Sequence, residues 1–351
     1  MTDLTRERLN DPAGIAVREC HFDRMRAVYG GRAPESPLLL WGYHGQGRSD
    51  FYAEPERWVA EALADLADHA ELALDAEVFR PLVLECPLYG VHFIDRILGA
   101  EVFELEPGNW QAHAITRPVG TLEPPDLEAD DTWANARRVA QAFLEADVAL
   151  PLFGLPTLSS ALNIGLNLYG QELLTAMYVD PAAAHHDLAV INDLICGLHR
   201  WYLAHIPLGQ LQPVIGGART QPPGYGQLCG CSTHLLSAEL YREFSLPYDD
   251  ALLSVYPNGG MIHLCGEHTQ HLPTWRDLPS LRALQMNDRA AEDFETYYHG
   301  LRDDQVVYPI PCAGMPLDRI LEESGGRRVV IWAEPPTVAQ TTDGARCACE
   351  H

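Results

Sequence analysis

Eight short apolar runs, separated by longer helix-like stretches, constrain the fold more than any other feature of this sequence. They are PLLLWGYHG (37–45), RPLVLECPLYG (80–90), ALPLFGLP (149–156), LQPVIGG (211–217), GGMIHLCG (259–266), LRALQMND (281–288), QVVYPIPCAG (305–314) and RRVVIWAEPP (327–336). Short apolar or β-branched runs bounded by glycine and proline read as buried strands. The stretches between them carry helix punctuation. Ser237 can cap a helix on which Leu240, Phe244 and Tyr248 recur at i, i+4, with Pro247 kinking it. Asp180 followed by Pro181 ends one helix and opens the next, with the proline at the first helical position. Strand-like runs alternating with helices in this number predict an α/β fold, a (β/α)8 TIM barrel. Such a barrel takes about 250 residues, so the remainder of the chain is expected to supply additional N-terminal helices and long loops. An open doubly wound sheet is the competing architecture, but no GxGxxG follows any strand-like run. Residues 1–351 are read as a single domain.

Composition narrows the chemistry. All 24 basic residues are arginine. Without a lysine the chain cannot form a Schiff base, hold pyridoxal phosphate covalently or build a P-loop. A formal charge of -25 makes nucleic acid and anionic membrane surfaces poor partners, because both require a basic footprint. No apolar run approaches the length of a membrane span, and the N-terminal MTDLTRERLNDPAG is polar, so a soluble cytoplasmic protein is expected. Nine cysteines (20, 86, 196, 229, 231, 265, 312, 347 and 349) are spread over the whole chain. In a reducing compartment that distribution fits metal binding or catalysis better than a disulfide framework. Cys20 and Cys196 lie in helix-like sequence and are expected to be small buried hydrophobes.

In a barrel, chemistry gathers at the C-terminal ends of the strands. The residues there include Tyr43, His44, Glu85, His263, Cys265, Asn287, Asp288, Cys312 and Glu334. The run GARTQPPGYGQLCGCSTHLL (217–236) reads as a long glycine-rich loop carrying Cys229 and Cys231. Residues i and i+2 of a strand project to one side, so His263 and Cys265 can converge on a point in the barrel mouth. Imidazole plus thiolate is a zinc-type pair that needs one or two further ligands. The alternative is a satisfied buried histidine beside an inert thiol.

At these residues the chain resembles a known family. The segment CSTHLLSAELYREFSLPYDDALLSVYPNGGMIHLCGEHTQHLPTWRDL is similar to the part of the uroporphyrinogen decarboxylase superfamily in which a Ser-Pro-Glu-x-Tyr-x-Glu-Phe-x-x-Pro-Tyr helix precedes a strand ending His-x-Cys-Gly. LFGLPTLSSALNIGLNLYGQELLTAMYVDP resembles the Gly-x-Pro-Thr-Leu region of that superfamily, and CPLYGVHFIDRILGAEVFE its glycine-containing middle stretch. The resemblance spans roughly residues 80–335 and implies a (β/α)8 barrel. One branch decarboxylates uroporphyrinogen without a cofactor. The other, the corrinoid-dependent methyltransferases and the related cobalamin-independent methionine synthases, binds zinc through His-x-Cys and a distant cysteine.

This chain keeps His263 and Cys265 of the zinc branch and lacks the Arg-Gln-Ala-Gly-Arg signature of the decarboxylases, offering only Arg48 near the first strand. A porphyrinogen with many carboxylate arms needs guanidinium partners, so tetrapyrrole decarboxylation is disfavoured. The resemblance places the third zinc ligand after the last strand, where Ala333 and Glu334 stand. Glu334 is the preferred substitute, then Cys347 and Cys349 of the CACEH tail, which also offers His351. The implied function is a zinc-dependent methyltransferase-like enzyme that activates a thiol or similar small substrate, with a corrinoid or folate as methyl donor. The expected metal ligands are His263, Cys265, Glu334 and Cys347. Tyr43, His44, Asn287 and Asp288 are the candidate catalytic residues, and with Glu85, Cys231 and Cys312 they are expected to line one cavity. Two alternatives stand beside it: a metal-independent decarboxylase of a small or tetrapyrrole-like acid, in which Asp288, His44 and Arg48 handle charge, and a non-catalytic corrinoid- or ligand-binding accessory protein. Expected partners are a small-molecule substrate, a corrinoid protein and a second copy of the chain as a homodimer.

Overall fold

The computed structural model describes residues 1–213 and 217–333. Its strands are β1 (Leu38–Leu40), β2 (Tyr43–His44), β3 (Val78–Phe79), β4 (Leu82–Glu85), β5 (Val102–Glu106), β6 (Asn109–Ala112), β7 (Leu152–Gly154), β8 (Leu211–Gln212), β9 (Gly226–Cys229), β10 (Gly260–Leu264), β11 (Leu281–Met286), β12 (Val306–Pro309) and β13 (Val330–Trp332). Only β5 and β6 pair antiparallel, as a separate hairpin. The others form three parallel sheets ordered β13-β1-β3, β2-β4-β7-β8 and β12-β11-β10-β9. Because β1 and β2 belong to one run, as do β3 and β4, the first two sheets continue one another. A parallel bridge between Val307 and Val329 links the third sheet to the approach of β13.

The parallel α/β architecture expected from the sequence is therefore present, whereas a closed eight-stranded ring is not formed by ladders among the described residues. Ladder pairing stops between β8 and β9. Pro213, Pro222 and Pro223 flank this junction and have no N–H to donate. Side chains tie it instead: Gln221 N–H donates to Gln212 Oε1 (3.0 Å), Gln212 Nε2 to Gln221 O (3.1 Å) and Gln221 Nε2 to Gly226 O (2.9 Å). The stretch read as one glycine-rich loop contains β9, which pairs with β10 from Gly226 to Cys229. A four-residue strand holding two glycine or cysteine ends carries too little apolar alternation to be seen in sequence.

The N-terminal helices are α1 (Asp3–Arg8) and α2 (Pro12–Tyr29). Asp11 caps α2 by accepting from Ala13 N and Gly14 N, and Pro12 takes the first turn, where its missing N–H costs nothing. Phe22, Met25 and Tyr29 of α2 pack against Leu38, Leu40, Phe79, Val83, Leu152, Met261, Ala283, Val306, Tyr308 and Val330. These are alternate residues of the strands. Their neighbours Leu82, Leu84, Phe153, Leu228, Ile262, Leu264, Leu284, Val307 and Ile331 point the other way, into the core shared with the surrounding helices. Every residue of β10 is buried, and each apolar side chain so placed contributes about 1.5–3 kcal/mol. Thus α2 covers the inner face at the N-terminal half of the strands, and the inner positions beyond it belong to the strands' C-terminal ends.

Cys196 is buried, as the sequence suggests, but Cys20 is exposed, because it lies on the face of α2 turned away from the strands. No helix among the described residues is long and apolar enough to cross a membrane.

Candidate metal centre

The inner face of β10 runs from Met261 to His263 and then to Cys265 just past the strand end. On β11 it runs from Ala283 to Gln285 and Asn287. His263 stands opposite Gln285 on one side and Cys229 on the other. After β9 the chain turns at Gly230 into a short 3-10 helix, Cys231–Leu235, which brings Cys231 over the same point. Ligand-capable atoms of Cys231, His263 and Cys265 all lie within 4.8 Å of one another, and Cys265 Sγ is 3.3 Å from His263 Nε2.

The surroundings fix the imidazole. Gln285 Oε1 accepts from His263 Nδ1, and Gln285 Nε2 donates to Asn287 Oδ1 at 2.5 Å. The ring therefore carries its proton on Nδ1 and presents the Nε2 lone pair toward the two thiols, which is the tautomer a metal-ligating histidine needs. Burial, and then the Arg219 guanidinium, hold the imidazole well below its ordinary pKa. Arg219 Nη2 donates to Nε2 at 3.1 Å. Nitrogen and sulfur donors at this spacing suit zinc or another borderline divalent ion.

A histidine cluster behind the site joins the loops that carry the two cysteines. His268 Nε2 donates to Cys265 O (3.1 Å), and its Nδ1 lies 2.9 Å from the Thr233 hydroxyl, two residues from Cys231. His271 Nε2 donates to Thr233 O at 2.8 Å and packs on Tyr241. Burial lowers the pKa of His268 to about 4 and also lowers that of His271, so both are neutral and act as fixed donors.

A scan of protein-family models finds no match to this chain, and no curated protein matches it in sequence. Among solved structures, the chain is similar to a methyltransferase from Methanosarcina mazei, with a TM-score of 0.60 and 12% identity over 89% of this chain and 91% of that one. At this identity the likeness is one of fold.

The remaining candidates fall into distinct places. His44 and Glu85 face inward on neighbouring strands, with His44 Nδ1 3.0 Å from Glu85 Oε2. Burial alone would lower the His44 pKa, but the Glu85 carboxylate outweighs it and raises it. Glu85 Oε1 is buried with no hydrogen-bond partner among the described residues. The backbone of Gly217, with φ +65°, passes so close that a Cβ there would lie 2.4 Å from His44 Nε2. Gly217, which packs on His44, is two residues from Arg219, whose side chain contacts His263.

Tyr43, the next residue along β2, points to the opposite face. Its hydroxyl donates to Asp65 Oδ2 (3.1 Å) on the helix Pro55–Asp68, and its ring stacks on His69 at 4.2 Å. Burial and Asp65 push its pKa up to about 12. Asn287 is 5% exposed and supports Gln285. Asp288 is exposed, with φ +48°, at the start of the helix Asp288–Glu292. Cys312 sits in a tight turn, exchanging backbone hydrogen bonds with Met315, and packs against the helix-side core. Glu334, Cys347, Cys349 and His351 lie outside the described residues.

Cys231, expected from the sequence to line the cavity, enters the cluster as a candidate ligand, and two residues join it that the sequence does not single out, Gln285 and Arg219. Gln285 had a signal, since polar residues at 285 and 287 interrupt an otherwise apolar strand on one face. Arg219 had none beyond being the one basic residue of its glycine-rich stretch.

Proposed function

We propose that this chain is a zinc-dependent methyltransferase-like enzyme of the uroporphyrinogen decarboxylase superfamily, its strands arranged as a (β/α)8 barrel. The observation that carries the reading is the convergence of Cys231, His263 and Cys265 at the C-terminal ends of parallel strands. The fold likeness to a methyltransferase supports it.

In this reading His263 and Cys265 hold the metal and Cys231 is the third ligand, in place of the residue after the last strand. Bound there, zinc supplies Lewis acidity that keeps a substrate thiol as the thiolate at neutral pH. The protein residues do the rest. Gln285 and Asn287 fix the imidazole tautomer, His268 and Thr233 hold the cysteine loops in register, and the His44–Glu85 pair stands ready to accept the proton that the thiol releases. The methyl donor is a corrinoid or a folate, a corrinoid being delivered by a partner protein, and the enzyme acts as a homodimer on a small substrate.

One observation favours the metal-independent decarboxylase: the His263 Nε2 lone pair is already engaged by a buried guanidinium, a group that would also pair with a substrate carboxylate.

Metal analysis of protein purified without chelator decides between them. The methyltransferase reading expects about one zinc per chain, abolished in C265S and weakened in C231S. Wild-type protein that carries no metal and takes up none on titration refutes it.

A further inference from the structure

The hydrogen bond between Arg219 and His263 poses a geometric conflict. A zinc ion on an imidazole nitrogen sits about 2.0–2.1 Å from it, whereas Arg219 Nη2 already occupies that lone pair at 3.1 Å. The two cannot share Nε2. Charge forbids it as well, because the guanidinium is permanently cationic and only 8% exposed, so little solvent screens it from an ion held by His263 and Cys265.

We propose that Arg219 is a built-in competitor for the metal: its guanidinium holds the His263 lone pair when the centre is empty and swings away when a divalent ion binds. This inference rests on the metal reading of the same site.

The local structure allows the swing without refolding. Gln221, two residues on, is anchored to Gln212, to Gly226 and to the Tyr29 hydroxyl. His263 is pinned by Gln285 on its other nitrogen. The movement is therefore confined to the arginine side chain, whose several rotatable bonds carry the guanidinium several ångströms while the backbone stays in place. Such a device gives the empty centre a positive charge at His263. It also makes loading dependent on expelling one cation for another.

The test uses the full chain and Co2+, whose thiolate absorption reports binding directly, followed by competition with Zn2+. R219Q is expected to bind either ion about 10- to 100-fold more tightly than wild type, within the range by which groups around a site tune metal affinity. R219K, which keeps the charge on a shorter reach, is expected to fall between them. A merely structural arginine would lower affinity when removed, so the direction of the change is the readout. In wild-type protein, phenylglyoxal modification of Arg219 read by peptide mass spectrometry is expected to be slow without metal and faster with Zn2+, which keeps the idea testable should R219Q fail to fold. Equal or weaker binding by R219Q, or Arg219 reactivity unchanged by Zn2+, overturns the inference and leaves the metal centre standing. If neither wild type nor R219Q binds, and C265S behaves as they do, the inference falls together with the metal reading.

Discussion

Replacing Asp249 with Asn probes the support of the centre at a residue remote from it. Asp249 is 2% exposed and accepts from the Tyr241 hydroxyl (2.9 Å) and the Ser245 hydroxyl (3.2 Å). Tyr241 in turn accepts from Trp275 Nε1 (2.8 Å) and packs on His271, which holds the Cys231 loop through Thr233. Burial raises the Asp249 pKa from 3.8 to about 7, against the pull of its two hydroxyl donors. The folded carboxyl thus keeps its proton to higher pH than the unfolded one, and stability falls as pH rises between those values. The full penalty, reached above pH 7, is about 4 kcal/mol. A titration window of about pH 5.5 to 8.5, above the sequence pI of about 4.8, contains about 2 kcal/mol of that change. D249N removes the titration but buries an amide N–H2 at a cost of about 1–3 kcal/mol. In urea denaturation followed by fluorescence, the stability of D249N relative to wild type is expected to rise by about 2 kcal/mol across the window, most of it below pH 7. Other groups titrate alike in both proteins and cancel. Parallel stability–pH curves for the two proteins would refute the reasoning.

Three further outcomes follow from the site geometry. Q285L leaves His263 Nδ1–H without its acceptor, so stability is expected to drop by about 1–3 kcal/mol and Co2+ affinity by about 10- to 100-fold, read by denaturation and metal titration. E85Q removes the charge that offsets burial at His44, so the His44 pKa, followed by NMR, is expected to fall below 6.5. The stability that the pair supplies to wild type, present at low pH and lost as pH rises through the raised folded pKa, is expected to vanish with it. G217A places a methyl group 2.4 Å from His44 Nε2 on a backbone with φ +65°. It is expected to cost at least about 1–2 kcal/mol for the left-handed conformation alone and to perturb the His44 resonances more than those of His185.

The sequence by itself determined the strands that alternate residue by residue over several positions. His263 and Cys265 were legible because a period of two sends both to one face, and β10 and β11 are apolar enough for that period to show. The lack of lysine and the acidic charge likewise needed no structure. What sequence could not supply is any relation between residues whose separation along the chain says nothing of their distance. Cys231 reaches His263 only because β9 pairs with β10, and that strand is short and glycine-bounded. Tyr43 and His44 are adjacent in sequence, yet the pleat sends the first to Asp65 and the second to Glu85. The prolines beside β8 and β9 stop the ladder that a count of strand-like runs would close. Arg219 is the clearest case: a side chain with several rotatable bonds finds its partner by tertiary packing alone, and this contact adds to burial in holding the His263 imidazole below its ordinary pKa.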